Sequence, residues 1–177
     1  MQAAKIFRLL PVLILLALAS GCGQTPDRPS RPADQADIAR ADSLMATQRY
    51  LEAAEIYRQL AARTPAGSQQ ATYLLQAAEA SRAGSDWDGI RSALAQLATL
   101  QLTGEQALER RLLQAEVLLQ ERRPADALSE LGAPPDERSS TGLRIRFHRN
   151  LASAYRQMGN LLETANALQA VDALQTD

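Results

Sequence analysis

The chain has 177 residues, 46% of them hydrophobic, with 19 Lys or Arg against 20 Asp or Glu and a formal net charge of −1. That balance argues against nucleic acid as a partner, because phosphate-backbone binding rests on clustered Lys and Arg that release counterions. One cysteine and one histidine leave no intrachain disulfide, no Cys/His zinc set and no Cys–His dyad. Aromatics make up only 4% and Ala and Leu dominate, with Gln, Glu and Arg between them. These side chains lose little rotamer freedom in a helix, so the expected fold class is all-α.

Residues 1–22 read MQAAKIFRLLPVLILLALASGC. Lys5 and Arg8 supply a positive start and Leu9 to Leu18 an apolar run too short to span a bilayer, the pattern of a secretory signal. Ala19, Ser20 and Gly21 then lead to Cys22. This resembles a bacterial lipobox, in which the cysteine is acylated and becomes the mature N-terminus. Ala19 stands where the usual lipobox has Leu, with Leu18 one place earlier; a cut after Ala17-Leu18-Ala19 would instead release a soluble periplasmic protein. Lipidation is the expectation, because the sole cysteine sits where the processing requires it. Two or three acyl chains give the stable anchoring that one chain cannot. Gly23, in place of Asp, favours the outer membrane by the same resemblance. Removing Lys5 and Arg8 from the 19 basic residues leaves 17 against 20 acidic, or −3 for the mature chain.

Residues 1–21 are thus expected to be a signal peptide and residues 22–33 a lipid-anchored flexible tether. The stretch GQTPDRPSRPA carries three prolines and little that is apolar. Residues 34–177 are expected to form a TPR-like solenoid of about four helical hairpins. One unit, ADSLMATQRYLEAAEIYRQLAARTP, places Tyr50, Ala53, Tyr57 and Pro65 at tetratricopeptide offsets. Small residues are needed where two helices cross closely, and Pro65 ends the second helix because it cannot continue the hydrogen-bond ladder. The small residue of the first helix recurs at Ala41, Ala77, Ala115 and Ala152, with spacings of about 36, 38 and 37. Turns inside the hairpins fall at Gln48-Arg49, Gly84-Ser85, Arg122-Arg123-Pro124 and Gly159-Asn160. Gly89 breaks the pattern where alanine is wanted, and the third unit has no aromatic.

Further along the chain, Thr103 with Gln106 and Asn160 with Glu163 read as capping boxes. Leu108, Leu112, Ala115 and Leu119 share one helical face, as do Leu151, Tyr155 and Met158. The longest loop is expected around Gly132 to Pro135 and Ser139 to Gly142. The sequence ends at Asp177 with Val171 and Leu174 still apolar and no polar capping helix, so the repeat domain is expected to be truncated there.

Residues 143–177, LRIRFHRNLASAYRQMGNLLETANALQAVDALQTD, resemble a stretch of the penicillin-binding protein activator LpoA family. There a His/Arg- and Ala-rich helix leads through a Gly-Asn turn into a second helix. The signal, tether and loose hairpins fit that family's N-terminal helical domain. The resemblance implies an outer-membrane lipoprotein, lipid-anchored on the periplasmic face through Cys22. It implies a class A penicillin-binding protein as partner and a regulatory part in peptidoglycan synthesis. In the family a larger two-lobed domain follows the helices and docks on the synthase. The alternative reading is a TPR-type lipoprotein scaffold for outer-membrane protein assembly or for pilus and secretion machinery.

No catalytic, cofactor-binding or metal residues are expected. Carboxylates such as Asp136 with Glu137 or Glu52 with Glu55 lie on loops or polar faces with no apolar pocket to perturb them. Candidate partner contacts are Trp87, a residue type enriched in binding hot spots, and Arg144, Arg146 and Arg149, a basic stretch with His148 and Arg156. The plainer reading of Trp87 is a plug between hairpins, and of the arginines a solvated helix face.

Overall fold

The computed structural model describes residues 32–176; the expected signal peptide, Cys22 and the expected tether up to residue 31 lie outside them. The described residues form eight α-helices and no strand, so the all-α expectation holds. The helices are α1 (Pro32–Ala46), α2 (Tyr50–Arg63), α3 (Ser68–Ala83), α4 (Trp87–Leu97), α5 (Gly104–Gln120), α6 (Pro124–Leu131), α7 (Thr141–Gln157) and α8 (Leu161–Thr176). Helix α1 begins at Pro32, two residues before the expected boundary; proline suits a first helical position, where no intrahelical partner exists for its missing N–H. None of the described helices is long and apolar enough to cross a membrane.

The four hairpin turns are copies of one another. Gln48, Ser85, Arg122 and Gly159 each adopt a left-handed backbone, with φ of 61°, 58°, 59° and 77°, and each follows the last by 37 residues. At every turn the next amide reaches back across the helix end: Arg49 N–H to Leu44 O (2.8 Å), Asp86 N–H to Ser81 O (2.8 Å), Arg123 N–H to Leu118 O (2.9 Å) and Asn160 N–H to Tyr155 O (2.9 Å). This is the Schellman closure, which satisfies carbonyls the helix leaves open. Three of the four positions carry a side chain, although a non-glycine residue in this conformation is strained by about 1–2 kcal/mol.

The 37-residue register corrects the one read from alanines. Ala41, Ala78, Ala115 and Ala152 are the equivalent residues, all buried; Ala77, also buried, is one place out, and the uneven spacing disappears. Gly89 is not a failed alanine. Asp86 caps α4 by accepting from the Gly89 amide (3.0 Å), and a Cβ at Gly89 would collide with the Asp86 carboxylate and the Ser81 hydroxyl. The second helices of the first three hairpins shorten in turn, with 14, 11 and 8 residues in α2, α4 and α6, while α8 has 16. The loops after them (64–67, 98–103, 132–140) lengthen in step, so the period survives. Thr64, extended ahead of Pro65, closes α2 as expected, and Thr103 with Gln106 forms the full capping box of α5.

Two apolar clusters make the core. The first holds α1 to α4 together with Leu113 and Val117 of α5. The second joins α5, α6 and α7 through Leu108, Leu112, Ala115, Leu118, Leu119, Ala127, Leu131, Leu143, Phe147 and Ala154. Helix α5 is apolar on two faces because it is the seam between them. On α7 the buried residues are Leu143, Phe147, Asn150, Ala152 and Ala154. Of the face read from the sequence, Leu151 packs half-buried against the second cluster, whereas Met158 is 53% exposed.

Candidate functional site

First helices of successive hairpins pack directly on one another, α3 on α5 and α5 on α7, whereas second helices pack on first helices. The first helices thus stack along one side of the ladder, here the inner face, the kind of surface that repeat proteins offer to partners. That face carries the charged residues with the most structural consequence.

Arg146 of α7 is its centre. Its guanidinium makes a two-pronged contact with Glu116 of α5, Nε to Oε1 at 2.6 Å and Nη2 to Oε2 at 3.1 Å, and also donates from Nη1 to Glu79 of α3. Arg82 lies beside the same two carboxylates, 2.8 Å from Glu79 and 3.8 Å from Glu116. Side chains of Arg146 and Glu116 are each only 16% exposed. Burial alone would lower the Arg146 pKa; the hydrogen bonds and charges of Glu116 and Glu79 outweigh it and hold the pKa above its ordinary value. One cation thus ties three hairpins together, and the planar fork of arginine is suited to that two-pronged grip.

Beside this network lies a cleft of about 290 Å³ lined by Met45, Tyr57, Thr72, Leu75, Gln76, Glu79, Gln106 and Glu109. Tyr57 closes one end, its hydroxyl donating to Asp42 at 2.6 Å; burial first, then Asp42, raises its pKa above the usual phenol range. Gln106, besides capping α5, donates to the Ser68 carbonyl (3.0 Å) and the Thr72 hydroxyl (3.1 Å). The Oε1 of Gln76 is buried with no hydrogen-bond partner among the described residues. Burial, then the charge of Glu79, raises the Glu109 pKa, against the pull of Arg146.

The residues picked from the sequence are not gathered in one site. Cys22 lies outside the described residues. Trp87 opens α4 and packs, half-buried, against the first core cluster. Arg146 is committed to the internal network, because its three-hairpin grip uses the fork of the guanidinium. Arg144 is half-buried near the start of α7, while Arg149 and Arg156 are exposed. His148 stacks edge-on against Phe147 with ring centres 5.4 Å apart; burial, then Arg144, lowers its pKa.

Sequence reading missed Gln76, Glu79, Glu109 and Glu116. Their signal was present: carboxylates inside otherwise apolar stretches of first helices, with Asp42, Glu79 and Glu116 spaced 37 apart. It becomes legible only once the period is fixed.

The chain matches no protein-family model and no curated protein. It does match solved structures of LpoA from Haemophilus influenzae. The full-length protein aligns with a TM-score of 0.56, a monoclinic form with 0.58 and the isolated N-terminal domain with 0.56. Each alignment has 23% sequence identity and covers 70% of this chain. The chain spans 23% and 22% of the first two and 55% of the N-terminal domain. At that identity the likeness is one of fold: the chain has the all-helical fold of the LpoA N-terminal domain, the family its residues 143–177 resemble.

Proposed function

We propose that the chain is the N-terminal helical scaffold of an outer-membrane lipoprotein that regulates a class A penicillin-binding protein in peptidoglycan synthesis. The observation that carries the reading is the fold shared with the LpoA N-terminal domain. The signal ending at Cys22 and the proline-rich tether are consistent with it. Lipid on Cys22 holds the protein on the periplasmic face of the outer membrane, and the tether lifts the hairpins away from it.

Its action is binding and positioning, not catalysis. Arg146, Glu116 and Glu79 of the inner face are held together in ion pairs, an arrangement suited to rigid positioning. A ladder tied by Arg146 across three hairpins transmits position along its length. Arg144 and Arg149 on α7 are the proposed contacts with the synthase, with Trp87 at the α4 start as a further edge.

Two experiments test this. Cys22→Ser should lose acylation and leave the membrane fraction; a variant that still sediments with outer membranes refutes the anchor. Photocrosslinkers placed at positions 144 and 149 in cells should recover a class A penicillin-binding protein. Crosslinks confined to outer-membrane assembly or secretion components would refute the regulator reading.

A further inference from the structure

The 37-residue register makes neighbouring hairpin interfaces directly comparable. Arg146 on α7 pairs with Glu116 on α5, thirty residues earlier. One period back, the equivalent of Arg146 is Glu109 and the equivalent of Glu116 is Glu79. Where the α5–α7 interface holds a cation against a carboxylate, the α3–α5 interface therefore holds two carboxylates. Glu79 draws on Arg82 and on Arg146, two hairpins further along. Glu109 has no ion pair or hydrogen bond among the described residues, though it feels the charges of Glu79, Glu105 and Arg146.

This cation-deficient position opens into the cleft already described. Met45 and Leu75 supply apolar lining to the cleft beside Glu109. Among the described residues no group of three or more His, Cys, Asp or Glu is placed to hold a metal ion. The cleft suits an organic cation: a donor-rich head for Glu109 and an alkyl stem for Met45 and Leu75.

We propose that the α1–α3–α5 cleft is a docking site for a lysine side chain on an extended segment of a partner protein, its ammonium taking at Glu109 the place that Arg146 fills one hairpin later. Lysine combines a compact three-donor head with a four-carbon stem. A lysine carried on a protein segment, rather than a free amine, is what the expectation of a protein partner calls for. The proposal deepens the scaffold reading by giving the inner face a ligand of defined chemistry, and rests on it only for the expectation of a protein partner.

The test is a methyl-detected NMR titration at low salt, following Met45 and Leu75 in the purified protein. The probes are the blocked pentapeptide Ala-Ala-Lys-Ala-Ala, its norleucine counterpart, and butylammonium. The lysine peptide should give saturable shifts of both methyls, with affinity about tenfold above either control, the scale of one charge-assisted hydrogen bond. Glu109→Gln should remove about that tenfold. Glu109→Arg, which recreates the ion pair of the next interface with Glu79, should abolish lysine binding while leaving the helical spectrum intact. Equal affinity for lysine and norleucine peptides, absence of saturable shifts, or lysine binding that survives Glu109→Gln would overturn the proposal. Butylammonium binding as tightly as the peptide would overturn the segment part of it. None of these outcomes bears on crosslinking to a synthase, so the two readings fail separately.

Discussion

Replacing Arg146 by methionine keeps an unbranched apolar stem and removes the guanidinium with its charge. Glu116, 16% exposed, and Glu79, 28% exposed, then lose the guanidinium they share; Arg82 remains, at 2.8 Å from Glu79 but only 3.8 Å from Glu116. Breaking a fully buried pair from one side costs about 3–5 kcal/mol, because a charge is left desolvated and unmatched. Partial solvent access and the remaining arginine reduce that to about 2–3 kcal/mol. For a domain of this size each kcal/mol lowers the melting temperature by about 3–5 °C, giving a fall of roughly 6–15 °C. Thermal and urea unfolding followed by circular dichroism at 222 nm would measure it. Hydrogen exchange should locate the loss in α7 and α8, the hairpin whose coupling to its neighbours Arg146 carries. Arg146→Met, Glu116→Leu together should recover part of the loss, since the pair is removed along with its desolvation. A single variant within about 0.5 kcal/mol of the parent, the range of ordinary surface changes, would refute the view that Arg146 ties the hairpins.

Other perturbations follow from the same geometry. Glu109 has a folded pKa above its ordinary 4.5, so folding favours its protonated form; that contribution is complete below the unfolded pKa and lost as pH rises through the folded one. Glu109→Gln should accordingly raise the melting temperature at neutral pH, with the gain shrinking on acidification towards 4.5; a gain that grows on acidification contradicts the assignment. Gly89→Ala should destabilise by about 1–2 kcal/mol despite the better helix propensity of alanine, because the added methyl displaces the Asp86 cap. Gly104→Ala, with open space around its Cβ, should be neutral or stabilising, and equal urea midpoints for the two variants would remove the capping argument. Gln48→Gly should stabilise by about 1 kcal/mol, since glycine adopts a φ of 61° without the clash of a Cβ; a lower melting temperature would show that the side chain supports the turn.

Helix content, hairpin number and turn positions were determined by the sequence alone, because they are decided locally. Ala- and Leu-rich runs form helices, Pro65 stops one, Thr103 and Gln106 cap another, and Gln48, Ser85, Arg122 and Gly159 all fall in or beside the turns read from the pattern. The period could not be fixed that way. Two adjacent alanines, Ala77 and Ala78, are both buried, and only the backbone turn says which is equivalent to Ala41. The charged inner face lay further out of reach. Glu79, Glu116 and Arg146 are spread over 68 positions of sequence, and an arginine on a helix reads as solvated until its neighbours are known. The stacking of α3, α5 and α7 decided that Arg146 turns inward and that Glu109 is left without an ion-pair partner. An ion pair depends on separation in space and on the water excluded around it, and in a stacked repeat both are set by the neighbouring hairpin.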